Sequence, residues 1–160
     1  MSSRVIWLTG LPCSGKTTLA LHLKGILGGY VLDGDDLREG LCSDLGFSKK
    51  DREENIRRVG EVAKMMKGNV VVSLVSPYRE SRDRARKLIE SEKDFIEVHV
   101  DCDLSVCKER DVKGMYAKSK KPLTPVYEPP LKPEVHIKTD ELGISQCLEK
   151  ILEVIDNEPI

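Results

Sequence analysis

The chain has 160 residues, 39% of them hydrophobic and 33% charged, which is enough apolar material for one core and too much for a disordered segment. Its 26 basic and 27 acidic side chains leave a net charge of −1, so no global field draws it to nucleic acid, and any anion site has to be local. No apolar run could span a bilayer, and the first residues lack the apolar stretch of a secretory leader. Five cysteines without a C-x-x-C pair read as reduced thiols of a cytoplasmic protein.

The first element in the chain is a strand, "RVIWLT", followed by Gly10-Leu11-Pro12-Cys13-Ser14-Gly15-Lys16-Thr17 and then Thr18 inside a helix predicted over Lys16–Leu27. These residues match the phosphate-loop pattern G-x-x-x-x-G-K-[ST], placed between strand and helix as the pattern requires. Glycines let backbone N–H groups turn inward to cradle phosphate, and the positive end of the helix reinforces them. Lys16 is then expected to reach the β- and γ-phosphates of ATP, and Thr17 to place its hydroxyl on Mg²⁺.

Next comes the strand "YVLDG", which runs into Asp33-Gly34-Asp35-Asp36 before a helix predicted over Asp36–Leu41. Three carboxylates within four residues repel one another unless they face a cation or take up a proton. Asp33 and Asp35 are therefore candidates for metal and acid–base work, and Asp36 for the helix N-cap. A longer helix is predicted over Lys50–Lys67, capped by Ser48, with an apolar stripe through Ile56, Val59, Ala63 and Met66. Four residues back along that stripe lie Arg52 and Asn55, where the buried face opens toward a cleft. Arg57 and Arg58 fall off the stripe and are expected to pair with neighbouring glutamates.

The strand "NVVVSLV" ends at Val75 and Ser76, with no acidic residue at its tip, and a helix follows over Arg79–Glu90. On that helix Arg82, Arg84 and Arg86 read as an ordinary charged face. "FIEVHVD" is the fourth strand, followed by a helix over Leu104–Arg110. Residues 111–133 break the alternation with five prolines and a basic run; next to a phosphate site this predicts a lid. The strand "EVHIKT" and a helix over Ile144–Asn157 complete the pattern. It specifies a doubly wound α/β sandwich with a mainly parallel sheet of about five strands, expected as a single domain over residues 1–160.

A phosphate loop alone does not separate a kinase from a GTPase or a motor. The guanine-reading N-K-x-D is absent, and both D-x-x-G matches lie outside a strand end. The blocks "GLPCSGKTT", "LDGDDLR", "GLCSDLGFSKKDREENIRRVGEVA", "VSLVSPYRESRDRAR", "ERDVKGMYAK" and "YEPPLKPEVHIKT" resemble adenylylsulfate (APS) kinases, in family order over nearly the whole chain. Such enzymes transfer the γ-phosphoryl group of ATP to the 3′-hydroxyl of APS to make PAPS, on a nucleoside-kinase-like three-layer sandwich.

The resemblance implies ATP binding by Gly10 to Thr18 with Arg110 and Lys113. It implies acceptor binding by Asp33, Asp35, Arg38, Phe47, Arg52, Asn55, Val75 and Ser76, and a homodimer. Lys16, Asp33 and Asp35 are the catalytic candidates. Ser76 falls at the family's phosphoserine position, although in-line transfer needs no covalent stop on the enzyme.

Two departures stand out. Asp36 replaces the family's usual Asn, and between "YAK" and "YEPP" only "SKKPLTPV" remains where the family carries a longer insertion with a Phe-Thr-Gly motif. One face of the adenine clamp is then missing, which costs on the order of 1–3 kcal/mol. Either Tyr116 or Tyr127 covers the base, APS binds more weakly, or the acceptor is another nucleotide or hydroxyl metabolite, such as a CDP-linked precursor.

Overall fold

The computed structural model describes residues 3–111, 114–118 and 126–157. Five strands form one sheet: β1 (Arg4–Thr9), β2 (Tyr30–Asp33), β3 (Val70–Leu74), β4 (Asp94–Asp101) and β5 (Val135–Lys138). Their order is β2-β3-β1-β4-β5, and every pairing is parallel. The connecting helices are α1 (Lys16–Leu27), α2 (Gly34–Glu39), α3 (Lys49–Met65), α4 (Arg79–Glu90), α5 (Leu104–Arg110), α6 (Met115–Lys118) and α7 (Ile144–Asn157).

Strand alternation sorts the core into two layers. Ile6 and Leu8 of β1 join Leu19 and Leu23 of α1 and Ile151 and Ile155 of α7 on one face. Val5 and Trp7 point the other way, against Ile56 and Val59 of α3 and Ala85 and Ile89 of α4. Because all strands run parallel, their C-terminal ends gather at one edge, and the loops there are where an open α/β sheet binds ligands.

Two expectations are corrected. Helix α6 lies inside the segment read as aperiodic; a single turn is too short to show a period, and it is held by the Asp111 carboxylate, which accepts from the Tyr116 and Ala117 amides at 3.1 and 3.0 Å. Arg82 is no surface charge. It is 1% exposed, its Nε lies 3.3 Å from Glu97 Oε2, and its guanidinium donates to the carbonyls of Ser76 (2.6 Å) and Glu128 (2.5 Å). The sequence reads it as part of a charged helix face, but α4 turns that position toward β4, between β1 and β5, where it meets Glu97. Arg84, by contrast, is exposed and pairs with Glu80, and Arg86 is half-buried between Glu134 and Glu97.

Candidate active site

The loop after β1 turns through two positions that need positive φ, Cys13 at 65° and Gly15 at 105°. Gly10 is required for a different reason: a Cβ there would lie 2.3 Å from the Val100 carbonyl oxygen. Lys16 curls over this loop, donating to the carbonyls of Gly10 (2.9 Å) and Leu11 (2.8 Å). Burial pushes its ammonium down to about 8, only partly offset by nearby groups including Asp33 and Asp35. Such a lysine gains from any anion that enters the loop.

Across from the loop, Asp33 rather than Asp36 caps α2. Its Oδ1 accepts from the Asp35 amide at 3.0 Å, and its Oδ2 accepts from the Thr17 hydroxyl at 2.7 Å. Helix α2 thus starts at Gly34, two residues earlier than the sequence suggested, and Asp35 stands in its first turn while Asp36 is exposed. With no acid at the tip of β3, Asp33 is the carboxylate that meets the phosphate-loop threonine.

The acceptor side is built from side chains that grip backbone. Arg38 donates to the Leu45 and Gly46 carbonyls at 3.2 and 3.1 Å, and its guanidinium lies 4.3 Å from the Phe47 ring centre. Arg52 donates from Nε to the Phe47 carbonyl at 2.9 Å, with its guanidinium 5.4 Å from the same ring. Ser48 caps α3 as expected, and Asp51 ties down the Gly46 amide. The Phe47 ring itself is 68% exposed, an apolar face held out by two cations. Asn55 is buried, and its Oδ1 has no hydrogen-bond partner among the described residues. Arg57 and Arg58 pair with Glu54, and Arg58 also with Asp44.

Ser76 is buried at a φ of 42°. Its hydroxyl accepts from the Trp7 indole N–H at 3.0 Å and donates to the Leu74 carbonyl at 3.2 Å. Neither tyrosine offered as cover for the adenine lines the cleft. The Tyr116 hydroxyl donates to the Pro12 carbonyl at 2.8 Å, and Tyr127 is hydrogen-bonded to the Thr9 hydroxyl at 3.0 Å with its ring against His99.

One cavity of about 870 Å³ joins these parts. Of the phosphate-loop residues, Pro12, Cys13 and Gly15 to Thr18 line it, whereas Gly10, Leu11 and Ser14 shape the loop from behind. Asp33, Asp35 and Arg38 line its middle, and Phe47, Arg52, Asn55, Val75 and Ser76 its far end. Arg110 lines the near end, donating to the Thr139 carbonyl at 2.6 Å. Lys113 lies outside the described residues. Sequence reasoning missed the wall formed by Thr139, Leu142, Gly143 and Ile144; its signal was there, since "TDELGI" follows β5 at the ligand-binding edge of the sheet.

A phosphate loop whose threonine meets a carboxylate, opening into a cleft large enough for a second substrate, defines a P-loop kinase. The family model for adenylylsulphate kinase matches residues 2–138, and the chain belongs to that family. It is 44% identical to the adenylyl-sulfate kinase of Acaryochloris marina over 173 positions, covering 99% of this chain and 84% of the relative. The alignment is longer than this chain, so that relative has stretches without a counterpart here. Identity to the Prochlorococcus marinus adenylyl-sulfate kinase is 48%, covering 94% and 82%. Among solved structures, the Mycobacterium tuberculosis APS kinase in complex with AMPPNP and APS superposes with a TM-score of 0.89 at 35% identity, covering 98% of this chain and 99% of the other.

Proposed function

We propose that this chain transfers the γ-phosphoryl group of ATP to the 3′-hydroxyl of APS, giving ADP and PAPS. The observation that carries the reading is the continuity of the cavity, from the phosphate loop past Asp33 and Asp35 to Arg52 and Asn55, in a member of this family. Loop amides and Lys16 bind the ATP phosphates. Asp35 orients the acceptor hydroxyl and takes its proton as the new O–P bond forms and the bond to the ADP oxygen breaks. Arg38 and Arg52 supply positive charge for an acceptor that carries phosphate and sulfate, Phe47 stacks on its base, and the orphan Asn55 Oδ1 suits a donor such as an exocyclic amino group.

The Thr17 hydroxyl and Asp33 carboxylate are hard oxygen donors side by side, a set that fits Mg²⁺. Bound there with ATP, the ion would neutralise charge on the β- and γ-oxygens. Ser76 acts as a wall rather than as a phosphoryl carrier, since its buried hydroxyl is engaged on both sides. Within the segment read as a lid, Met115 in the cavity wall and the Tyr116 hydroxyl on the Pro12 carbonyl support a role for α6 as cover for the nucleotide. We also read residues 1–160 as one domain of a cytoplasmic homodimer, with five free cysteines in keeping with a reducing compartment. Among the described residues no helix is long and apolar enough to cross a membrane.

Nothing in the described cavity favours a CDP-linked acceptor. Purified protein with Mg-ATP should convert APS, and a panel of CDP-linked and simple nucleosides should react more slowly. Turnover of one of those with none on APS would overturn the assignment.

A further inference from the structure

On the sheet face that carries α3 and α4, helix α4 packs over the first part of β4 through Phe95 and Glu97, and beyond it that face is polar, with His99 and Asp101 on β4 and His136 on β5. In register there, His99 of β4 pairs with His136 of β5, and Asp101 lies two residues beyond His99 on the same face. One ligand atom from each of the three falls within 4.8 Å of the others. We propose that His99, Asp101 and His136 form a binding site for a divalent transition-metal ion of the zinc type, separate from the nucleotide cleft.

The donor set selects the ion class. Two imidazoles and one carboxylate suit Zn²⁺, Co²⁺ or Ni²⁺, whereas Mg²⁺ prefers oxygen ligands alone. Three protein ligands leave a coordination position for water, so the ion would be exchangeable. His99 is the fixed member: it is 8% exposed and flanked by the Tyr127 ring at 6.0 Å and the His136 ring at 4.8 Å.

The other two ligands are movable. The His136 and Asp101 side chains are 47% and 39% exposed and meet through a 2.9 Å contact between Nε2 and Oδ2. A tetrahedral ion with bonds of about 2.1 Å needs ligand atoms about 3.4 Å apart. Binding therefore requires the His136–Asp101 contact to open from 2.9 Å and the widest ligand separation to contract from 4.8 Å, with the His136 ring turning out of its stack on His99, a motion its exposure permits. Among the described residues β5 is the last strand of the sheet, and the exposed His136 side chain there gives the ion a path in.

The test titrates the full-length, chelator-stripped protein with Zn²⁺ by calorimetry and with Co²⁺ by visible absorption, without nucleotide or Mg²⁺. One ion per chain is expected. His136→Ala and, as a gentler second variant, Asp101→Asn should each weaken binding at least tenfold, and Cys13→Ser should leave it unchanged. Zn²⁺ should raise the melting temperature of the wild type and not of His136→Ala. The proposal is overturned by absence of Zn²⁺ binding, by binding unchanged from the wild type in both His136→Ala and Asp101→Asn, or by loss on Cys13→Ser instead. No arm depends on kinase turnover, so failure here leaves the APS assignment untouched.

Discussion

The two ends of the cleft are made in opposite ways. At the donor end the protein presents backbone: a loop of six consecutive residues, Gly10 to Gly15, two of them at positive φ, followed by the N-terminus of α1. At the acceptor end it presents side chains from three separate places, α2, the loop ending at Phe47, and α3, with Arg38 of α2 and Arg52 of α3 steadied by gripping carbonyls of that loop. A backbone site binds the part of ATP that every nucleotide shares, and its form is dictated by local covalent geometry. A side-chain site can be retuned one residue at a time, and there acceptor choice is made. Substitutions at the two ends should therefore separate kinetically.

The largest effect is expected where the ends meet. Asp35→Asn should lower kcat by about 10²–10⁴ in a steady-state assay with little change in KM for ATP, and a loss below about tenfold would remove Asp35 from the proton transfer. Phe47→Ala should raise KM for APS about ten- to a hundredfold while KM for ATP stays within about twofold, because a stacking face is worth about 1–3 kcal/mol. An equal rise in both would show that the exposed ring serves the fold of the loop rather than the base.

The donor end carries its own pH signature. Lys16 is held down to about 8 by burial, so the free enzyme loses this charge as pH rises through that value. kcat/KM for ATP should then fall up to about tenfold per pH unit above it, as measured by a pH–rate profile, and Lys16→Arg should shift or abolish that limb. The smallest effect is expected for Ser76→Ala. Activity should stay within about tenfold, while thermal unfolding reports about 1–3 kcal/mol lost because the Trp7 indole N–H is left unpaired. An inactive variant with an intact fold would restore Ser76 to the chemistry.

How much of this was legible beforehand follows the same division. The phosphate loop announces itself because its geometry is written in adjacent residues, and Arg52 and Asn55 could be placed because α3 carries a clean apolar stripe. Each strand was found within about a residue of its ends, since buried parallel strands are continuous β-branched runs. What stayed hidden depends on contacts distant in sequence. The burial of Arg82 needs Glu97 on β4 and the Glu128 carbonyl, 46 residues away. The cap role of Asp33, favoured for Asp36 on spacing alone, is fixed by where β2 delivers the chain next to Thr17.

That Asp33 carboxylate has a consequence for how acceptor preference can drift. One oxygen starts the helix that carries Asp35 and Arg38, and the other holds the threonine of the nucleotide loop. A change that re-aims α2 toward a new acceptor drags on Thr17, so the same change taxes donor binding. Neutral exploration of new acceptors is consequently channelled into positions such as Phe47 and Asn55, which can vary without disturbing the fulcrum.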